Sequence, residues 1–389
     1  MRIVDLRQRT IPISRYADTT LPSELDTGIV ALITDVVRNG APVIGFGFAS
    51  LGRYSAEGLI QARFAARLLN AAESDVATAD GTNIDPMRAW DCMMRNEKPG
   101  GHGERCVAVG TLDMALWDAA AKIAGKPLYL FLAERRKAAA TTGRVPIYAS
   151  GGYYYPSRDI ERLTDEVRRF LDAGYTHVKI KIGGRSIDED LKRIDAVLAL
   201  LPNGRHLAVD AMNRYGAETA ENAARALSRH GLRWFEDICE PLDFALQARI
   251  SSIYDPSIAA GEPLFSAEDA RNLLRYGGIR PDRDVLVFDP VHCYGVAGYL
   301  RILAALREGG ISPLSCQPHG GHLFCLHLAA ALRLGGCESN PLSFQPFGGL
   351  TDALTVEVGT TKPPEMPGIG FEAKASLYHV FRSLLDECQ

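Results

Sequence analysis

The spacing of hydrophobic and polar positions changes once along this chain, near residue 145. Before that point, strand-like runs occupy residues 2–12, 28–38 and 43–49, and helical runs occupy residues 55–71 and 106–124. The dipeptide Asn39-Gly40 separates two β-rich runs, which is a strong signal for a β-hairpin. We therefore predict an N-terminal α+β domain over residues 1–140.

Beyond residue 145 short β-rich runs alternate with helical stretches. The β-rich runs lie at residues 145–149, 177–182, 206–211, 233–238, 257–261, 284–288, 313–317 and 336–339. The helical stretches lie at residues 159–173, 188–201, 219–230, 244–254, 267–276, 296–309 and 323–334. Such alternation is typical of a parallel sheet whose strands are joined by helices.

Eight successive strands fit a closed barrel, although the last repeat is irregular. The predicted fold class is therefore α/β, with a TIM-like (β/α)7-8 barrel over residues 141–365 as the catalytic domain. Residues 366–389 follow the barrel as a separate C-terminal segment. An open doubly wound sheet is the alternative, but no GxGxxG motif follows an early strand, which argues against a dinucleotide-binding fold.

Composition narrows the choice of partners and compartment. The formal net charge is −4, which gives no reason to expect a nucleic-acid partner. No apolar run is long enough to predict a membrane span, and the N-terminus lacks the apolar segment of a signal peptide. The 8 cysteines form no CxxC pair, as is usual for free thiols in a reducing compartment. We predict a cytoplasmic protein.

Ionisable residues stand at the carboxyl ends of the predicted barrel strands, where barrel enzymes carry their active sites. In chain order they are Lys179 and Lys181, Asp210, Glu236, Glu262, Asp289, His319 and Glu338. A single Asp after a strand is more often the N-cap of the next helix. Capping does not explain a charged residue at the end of one strand after another, so we predict a common site at this mouth of the barrel.

Three of these residues, Asp210, Glu236 and Glu262, lie on neighbouring strands. Carboxylates that converge in a shielded site repel one another unless a cation lies between them. Oxygen ligands alone favour Mg²⁺ over Zn²⁺. The sequence therefore predicts a Mg²⁺ site that leaves coordination positions open for an anionic substrate.

Two further pairs of residues suggest proton transfer. Lys179 and Lys181 alternate with apolar residues and point to one face, where neighbouring positive charge is expected to lower the ammonium pKa and create a general base. A Schiff-base lysine is the alternative, but it leaves the carboxylates unexplained. Asp289 is expected to orient His319 as a proton carrier. A base and an acid on opposite faces of one substrate fit an elimination or a racemisation.

This set of residues resembles the mandelate racemase subgroup of the enolase superfamily. The resemblance covers nearly the whole chain and implies that residues 1–140 form a capping domain to which residues 366–389 return. It also implies metal binding by Asp210, Glu236 and Glu262. It implies that Lys181 abstracts the α-proton of a hydroxy acid and that His319 protonates the departing β-hydroxyl. It assigns supporting catalytic or substrate-binding roles to Lys179, Asp289, Glu338, Lys98 and Tyr153.

Within that family, four stretches resemble the D-tartrate dehydratases: residues 96–105, 151–156, 269–284 and 318–322. The resemblance implies dehydration of D-tartrate to oxaloacetate, a hydroxy-dicarboxylate substrate whose distal carboxylate Lys98 holds, and a homo-oligomer. The alternatives are racemisation or epimerisation, dehydration of another acid sugar, and an inactive binding protein.

Two departures from the family pattern bear on the substrate and the metal site. Met212 stands where the subgroup has Asn, with Asn213 next to it. Leu51 stands where a polar amide is expected in the specificity loop 49–54, and the other specificity loop, 16–26, differs in length and content. These differences are compatible with a larger or less hydroxylated acid.

Overall fold

The computed structural model of the chain describes residues 1–17, 25–53, 55–138 and 142–386. Its first part contains an antiparallel sheet of three strands: β1 (Ile3–Ile13), β2 (Leu25–Arg38) and β3 (Ala41–Phe48). Asn39 and Gly40 both have positive φ, at 52° and 80°, as the predicted two-residue hairpin requires. The hairpin prediction is confirmed.

Helices follow these three strands in the chain. They are α1 (Glu57–Leu59), a π-helical turn (Ile60–Ala65), α2 (Ala66–Leu69), α3 (Glu73–Val76), α4 (Pro86–Met94), α5 (Glu104–Ile123) and α6 (Leu128–Arg135). The helix predicted over 55–71 is thus interrupted by the π-helical turn. Helix α5 is buried along most of its length and lies against β3, where Gly45 and Gly47 leave room for its backbone.

Seven parallel strands form the second sheet: β4 (Val145–Gly151), β5 (Val178–Lys181), β6 (Leu207–Asp210), β7 (Phe235–Glu236), β8 (Ile258–Ala260), β9 (Val285–Leu286) and β10 (Cys337–Ser339). Their order is β10-β4-β5-β6-β7-β8-β9, and a short strand, β11 (Thr360–Thr361), pairs antiparallel with β4. The predicted combination of a barrel-like parallel sheet with an antiparallel N-terminal sheet is confirmed.

The connections are helices, as the pattern predicted. They are α7 (Asp159–Asp172), α8 (Ile187–Leu198), α9 (Ala217–Leu227), α10 (Phe244–Ile253), α11 (Ala267–Tyr276), α12 (Gly295–Glu308) and α13 (Leu323–Leu332). Short 3-10 turns lie at Gly204–His206, Ser228–His230, Pro313–Ser315 and Phe371–Ala373. No helix of the described ranges is long and apolar enough to cross a membrane.

The strand predicted over 313–317 is wrong. Pro313 begins a 3-10 turn that Ser312 caps by accepting a hydrogen bond from the backbone N–H of Leu314. Only Cys316 makes a sheet-like bridge, to Leu286 of β9, and its carbonyl accepts a bond from the N–H of Gly335. At this position of the barrel, one bridge to Leu286 and one hydrogen bond from Gly335 therefore take the place of a strand.

The C-terminal segment contacts the N-terminal sheet through α14 (Ala375–Arg382). The ring of Phe381 stacks on that of Phe46 in β3, with centroids 4.9 Å apart. Asp118 of α5 accepts the backbone N–H groups of both Phe46, at 2.9 Å, and Ile369, at 2.7 Å. The division into segments 1–140, 141–365 and 366–389 stays a prediction.

Gly110 is the point at which α5 meets the loop after β9. A Cβ added there would lie 1.9 Å from the carbonyl oxygen of Val291, a backbone atom that cannot move aside easily. We expect Gly110→Ala to lower the free energy of unfolding by about 1–3 kcal/mol or more, because overpacking displaces the backbone. Gly58→Ala is the matched control, since nothing lies within 4 Å of its Cβ. Equal denaturation midpoints for the two variants would contradict this expectation.

Candidate active site

Three acidic side chains converge at the carboxyl ends of neighbouring strands. Asp210 ends β6, Glu236 ends β7, and Glu262 follows β8 by two residues. One oxygen from each lies within 4.8 Å of the others. Asp210 and Glu262 line a cavity of about 800 Å³, and Glu236 is fully buried. This hard, oxygen-only donor set fits a divalent cation such as Mg²⁺. The structure thus brings together the three residues that the sequence predicted to lie close to one another.

A fourth carboxylate, Asp237, lines the same cavity and was not predicted. Burial raises its pKa well above the usual range, and the charges of Glu262 and Asp210 raise it further. Strand alternation would turn the residue after Glu236 away from the site, but Asp237 has φ of 46°. Its carboxylate accepts a hydrogen bond from the Asn213 side chain at 3.1 Å. Asn213 therefore reaches the metal-ligand cluster through Asp237.

The two lysines of β5 are ion-paired with this cluster. Lys179 Nζ lies 2.5 Å from Glu236 Oε1 and 3.0 Å from Glu338 Oε1, and Lys181 Nζ donates to Asp210 Oδ2. Burial lowers the pKa of each lysine, but the surrounding carboxylates outweigh burial and hold both pKa values above the ordinary one. The expectation of a lowered lysine pKa is wrong for this arrangement, because each lysine pairs directly with a carboxylate, and the charge of Lys179 lowers the pKa of Lys181 less than Asp210 raises it.

His319 lies on the other side of the carboxylates. Its Nδ1 is 2.9 Å from Asp289 Oδ2, and its Nε2 is 3.3 Å from Glu262 Oε2. Burial lowers the pKa of His319, but the charges of Glu262, Glu338 and Asp289 overcome this and raise it to about 10. The imidazole is therefore held protonated at neutral pH, the state that a general acid requires.

Glu338 and Tyr153 complete the cavity wall. Glu338 Oε2 accepts the backbone N–H of Gly320 at 3.0 Å, and the Tyr153 ring centre lies 5.3 Å from Lys181 Nζ. Burial raises the pKa of Glu338, but Lys179 and His319 outweigh it and hold the pKa well below the usual range. Glu338 is thus an ionised acceptor between a lysine and an imidazole.

Lys98 does not line the cavity that contains Lys181 and His319. Its side chain is exposed and lines a neighbouring cavity of about 370 Å³, while Arg53 lines the cavity that contains Lys181 and His319. The guanidinium of Arg53 stacks on the ring of Phe265 at 4.8 Å. The sequence pattern offered no sign of Arg53 beyond its position in the specificity loop. Part of that loop (Tyr54) and much of loop 16–26 (residues 18–24) lie outside the described residues.

Cation binding to this cluster is expected to depend on pH. Burial raises the pKa of Glu236 to about 7 although Lys179 opposes the shift. Because the ligand must be ionised, Mg²⁺ affinity should be full above pH 7 and fall by up to about tenfold per unit below it. Calorimetric titration between pH 5.5 and 8.5 measures this, with Glu161→Gln, which changes an exposed carboxylate, as the control that should keep the same pH dependence. An affinity that stays constant over this range would refute the expectation.

Comparisons with known proteins identify the family. The model of the "Enolase C-terminal domain-like" family matches residues 162–377. Arabinonate dehydratase of Saccharolobus solfataricus is 26% identical, and the match covers 75% of this chain and 77% of that protein. The 3,6-anhydro-alpha-L-galactonate cycloisomerase of Streptomyces coelicolor is 30% identical, with 75% and 76% covered.

A solved structure of L-talarate dehydratase from Polaromonas sp. JS666, complexed with Mg and L-glucarate, has the same fold. Its TM-score is 0.72 at 25% identity, and the match covers 95% of this chain and 94% of that one. The barrel, the carboxylates at the ends of its strands and these matches agree with one another. The chain therefore belongs to the enolase superfamily, among the proteins similar to mandelate racemase and muconate lactonizing enzyme.

Proposed function

We propose that this protein is a Mg²⁺-dependent hydro-lyase that dehydrates an acid sugar to a 2-keto-3-deoxy acid. The observation that carries the proposal is the placement of Lys181 and His319 on the two sides of the Asp210–Glu236–Glu262 cluster in one cavity. Relatives named as dehydratases of arabinonate and of L-talarate/galactarate support the reaction class.

The first chemical step removes the proton next to the substrate carboxylate. Asp210, Glu236 and Glu262 would hold the cation, which supplies positive charge for the substrate carboxylate and for the enediolate. Lys181 would first release a proton to solvent when Asp210 binds the cation in place of its ammonium, and its neutral Nζ would then accept the α-proton. Lys179 stays cationic between Glu236 and Glu338 and adds a second positive charge beside the developing negative one.

The second step breaks the bond between the β-carbon and its hydroxyl oxygen. His319 gives the Nε2 proton to that hydroxyl, which leaves as water, while the electron pair of the broken Cα–H bond becomes the double bond of an enol. The enol then takes up a proton at the β-carbon to give the 2-keto acid. His319 Nδ1 keeps its hydrogen bond to Asp289 throughout both steps, and this bond holds the orientation of the imidazole ring.

Substrate size separates the proposed acid sugar from D-tartrate. The cavity of about 800 Å³ leaves more space than a four-carbon diacid fills, and relatives are named for arabinonate and gluconate. Leu51 replaces the amide expected for tartrate, and its side chain is buried in the cavity wall. D-tartrate stays a prediction from the sequence and is one member of the panel described below.

Arg53 takes the place that Lys98 was expected to fill. Because its guanidinium lies at the cavity wall, we expect it to bind the distal carboxylate of an aldaric acid. Arg53→Ala should raise KM for an aldaric acid by about tenfold or more and leave KM for the matching aldonic acid within about twofold. Steady-state kinetics with both substrates measure this. An equal rise in both KM values would show that Arg53 does not bind a distal carboxylate.

The reaction is tested by a panel of acids. D-, L- and meso-tartrate and the five- and six-carbon aldonic and aldaric acids are incubated with enzyme and Mg²⁺, with and without chelator, and keto acid is measured. Keto acid that forms only with the metal supports the proposal and names the substrate. Epimerised acid without keto acid would show a racemase or epimerase, and an unchanged panel without α-proton exchange would indicate a binding protein. Homo-oligomerisation and a cytoplasmic location stay predictions.

A further inference from the structure

Ser50 connects the N-terminal sheet to the proposed acid of the barrel. It lies just after β3 and is fully buried, and its hydroxyl donates a 2.6 Å hydrogen bond to Asp289 Oδ2. The same carboxylate oxygen accepts from His319 Nδ1 at 2.9 Å. Ser50, a residue of the specificity loop 49–54, and His319 thus donate hydrogen bonds to the same carboxylate oxygen of Asp289.

The position of the Asp289 carboxylate depends on this contact. Its other oxygen accepts the backbone N–H groups of Val291 at 2.7 Å and His292 at 3.3 Å, both in its own loop. The oxygen that faces His319, Oδ2, is held by the hydrogen bond from the Ser50 hydroxyl. His322 Nε2 lies 3.0 Å from Ser50 Oγ on the other side, so that the serine proton is directed towards Asp289.

The backbone at Ser50 is held in an uncommon conformation. Its φ is 61°, in the left-handed region that a residue with a side chain adopts at a cost. Glycine adopts this conformation freely, but it lacks the hydroxyl. A serine here therefore needs a contact that offsets the backbone strain. The hydrogen bond from its hydroxyl to Asp289 is such a contact.

We propose that Ser50 is a positioning residue that orients the Asp289–His319 pair for the protonation of the leaving hydroxyl and has no part in α-proton abstraction. This inference depends on the proposed dehydration. Lys181 lies across the carboxylate cluster, where its amine pairs with Asp210 and not with Ser50, Asp289 or His322. The two half-reactions should consequently respond differently when the hydroxyl is removed.

The test measures both half-reactions in D₂O with the substrate found in the panel. Ser50→Ala and Ser50→Gly should each form keto acid about 10- to 100-fold more slowly, since misplacing a reacting group costs about this much. The rate of deuterium uptake at the α-carbon should stay within about threefold, so that the ratio of exchange to dehydration rises.

Ser50→Gly separates positioning from folding, because it relieves the backbone strain and should be at least as stable as Ser50→Ala. Thr34→Val is the control, since it removes another buried hydroxyl of the N-terminal sheet, one bonded to the Val43 carbonyl. An equal fall in exchange and dehydration, or full dehydration by Ser50→Gly, would overturn the proposal. If the wild-type protein forms no keto acid from any acid of the panel, the proposed function fails, which is a separate outcome.

Discussion

Lys181→Met should abolish dehydration and α-proton exchange together, with kcat lowered by about 10²–10⁴-fold, the usual contribution of a general base. Lys181 is nearly buried, and its amine lies against Asp210, one of the proposed cation ligands. Methionine retains much of the unbranched stem but removes the group that accepts the proton. The measurement pairs keto-acid formation with deuterium uptake at the α-carbon.

Two further variants show that the loss belongs to the base. Lys192→Met removes an exposed lysine of α8 and should leave both rates unchanged. His319→Asn removes the proposed acid and should stop dehydration while exchange continues. Retained exchange in Lys181→Met, at a rate near that of the wild type, would show that another group abstracts the proton.

Removal of the divalent cation is expected to stop the reaction completely. Three carboxylate oxygens that lie within 4.8 Å of one another would repel a substrate carboxylate unless a cation lies between them. Chelator should reduce keto-acid formation to background, and Mg²⁺ added in excess should restore it. Because the ion binds only the folded protein, saturating Mg²⁺ should also raise the Tm.

Glu236→Gln tests the ligand assignment independently of activity. The amide keeps the shape of the side chain but removes its charge, so the increase in Tm on adding Mg²⁺ should be lost or much reduced. Glu161→Gln, which changes an exposed residue of α7, should keep the full increase. Dehydration that persists in chelator would refute a role for the cation.

The alternation of β-rich runs and helical stretches in the sequence was sufficient to predict most of the barrel and the site at its mouth. The parallel strands are short and mostly buried, and an ionisable residue at or just after the end of a strand emerges at the carboxyl end of the sheet. Asp210, Glu236 and Glu262 therefore fell together as predicted. Residues 313–317 did not form a strand, because Pro313 lacks an N–H for the ladder and starts a 3-10 turn.

Contacts between distant segments were not predictable in this way. Ser50 and Asp289 are 239 residues apart, and their contact depends on how the N-terminal sheet packs on the barrel. Asp237 enters the site only because of its positive φ, and Arg53, not Lys98, lines the cavity. Substrate specificity depends on the same loops, which explains why D-tartrate could be suggested from motifs but not established.

The most direct test of the account is deuterium uptake at the α-carbon of the substrate by His319→Asn, with Mg²⁺ and with chelator. Without the acid, dehydration should stop, and exchange catalysed by Lys181 should continue only in the presence of the metal. Metal-dependent exchange without keto acid is the predicted result. Absence of exchange in this variant, or exchange that ignores the chelator, would contradict the assignment of Lys181, the cation and His319 to separate steps.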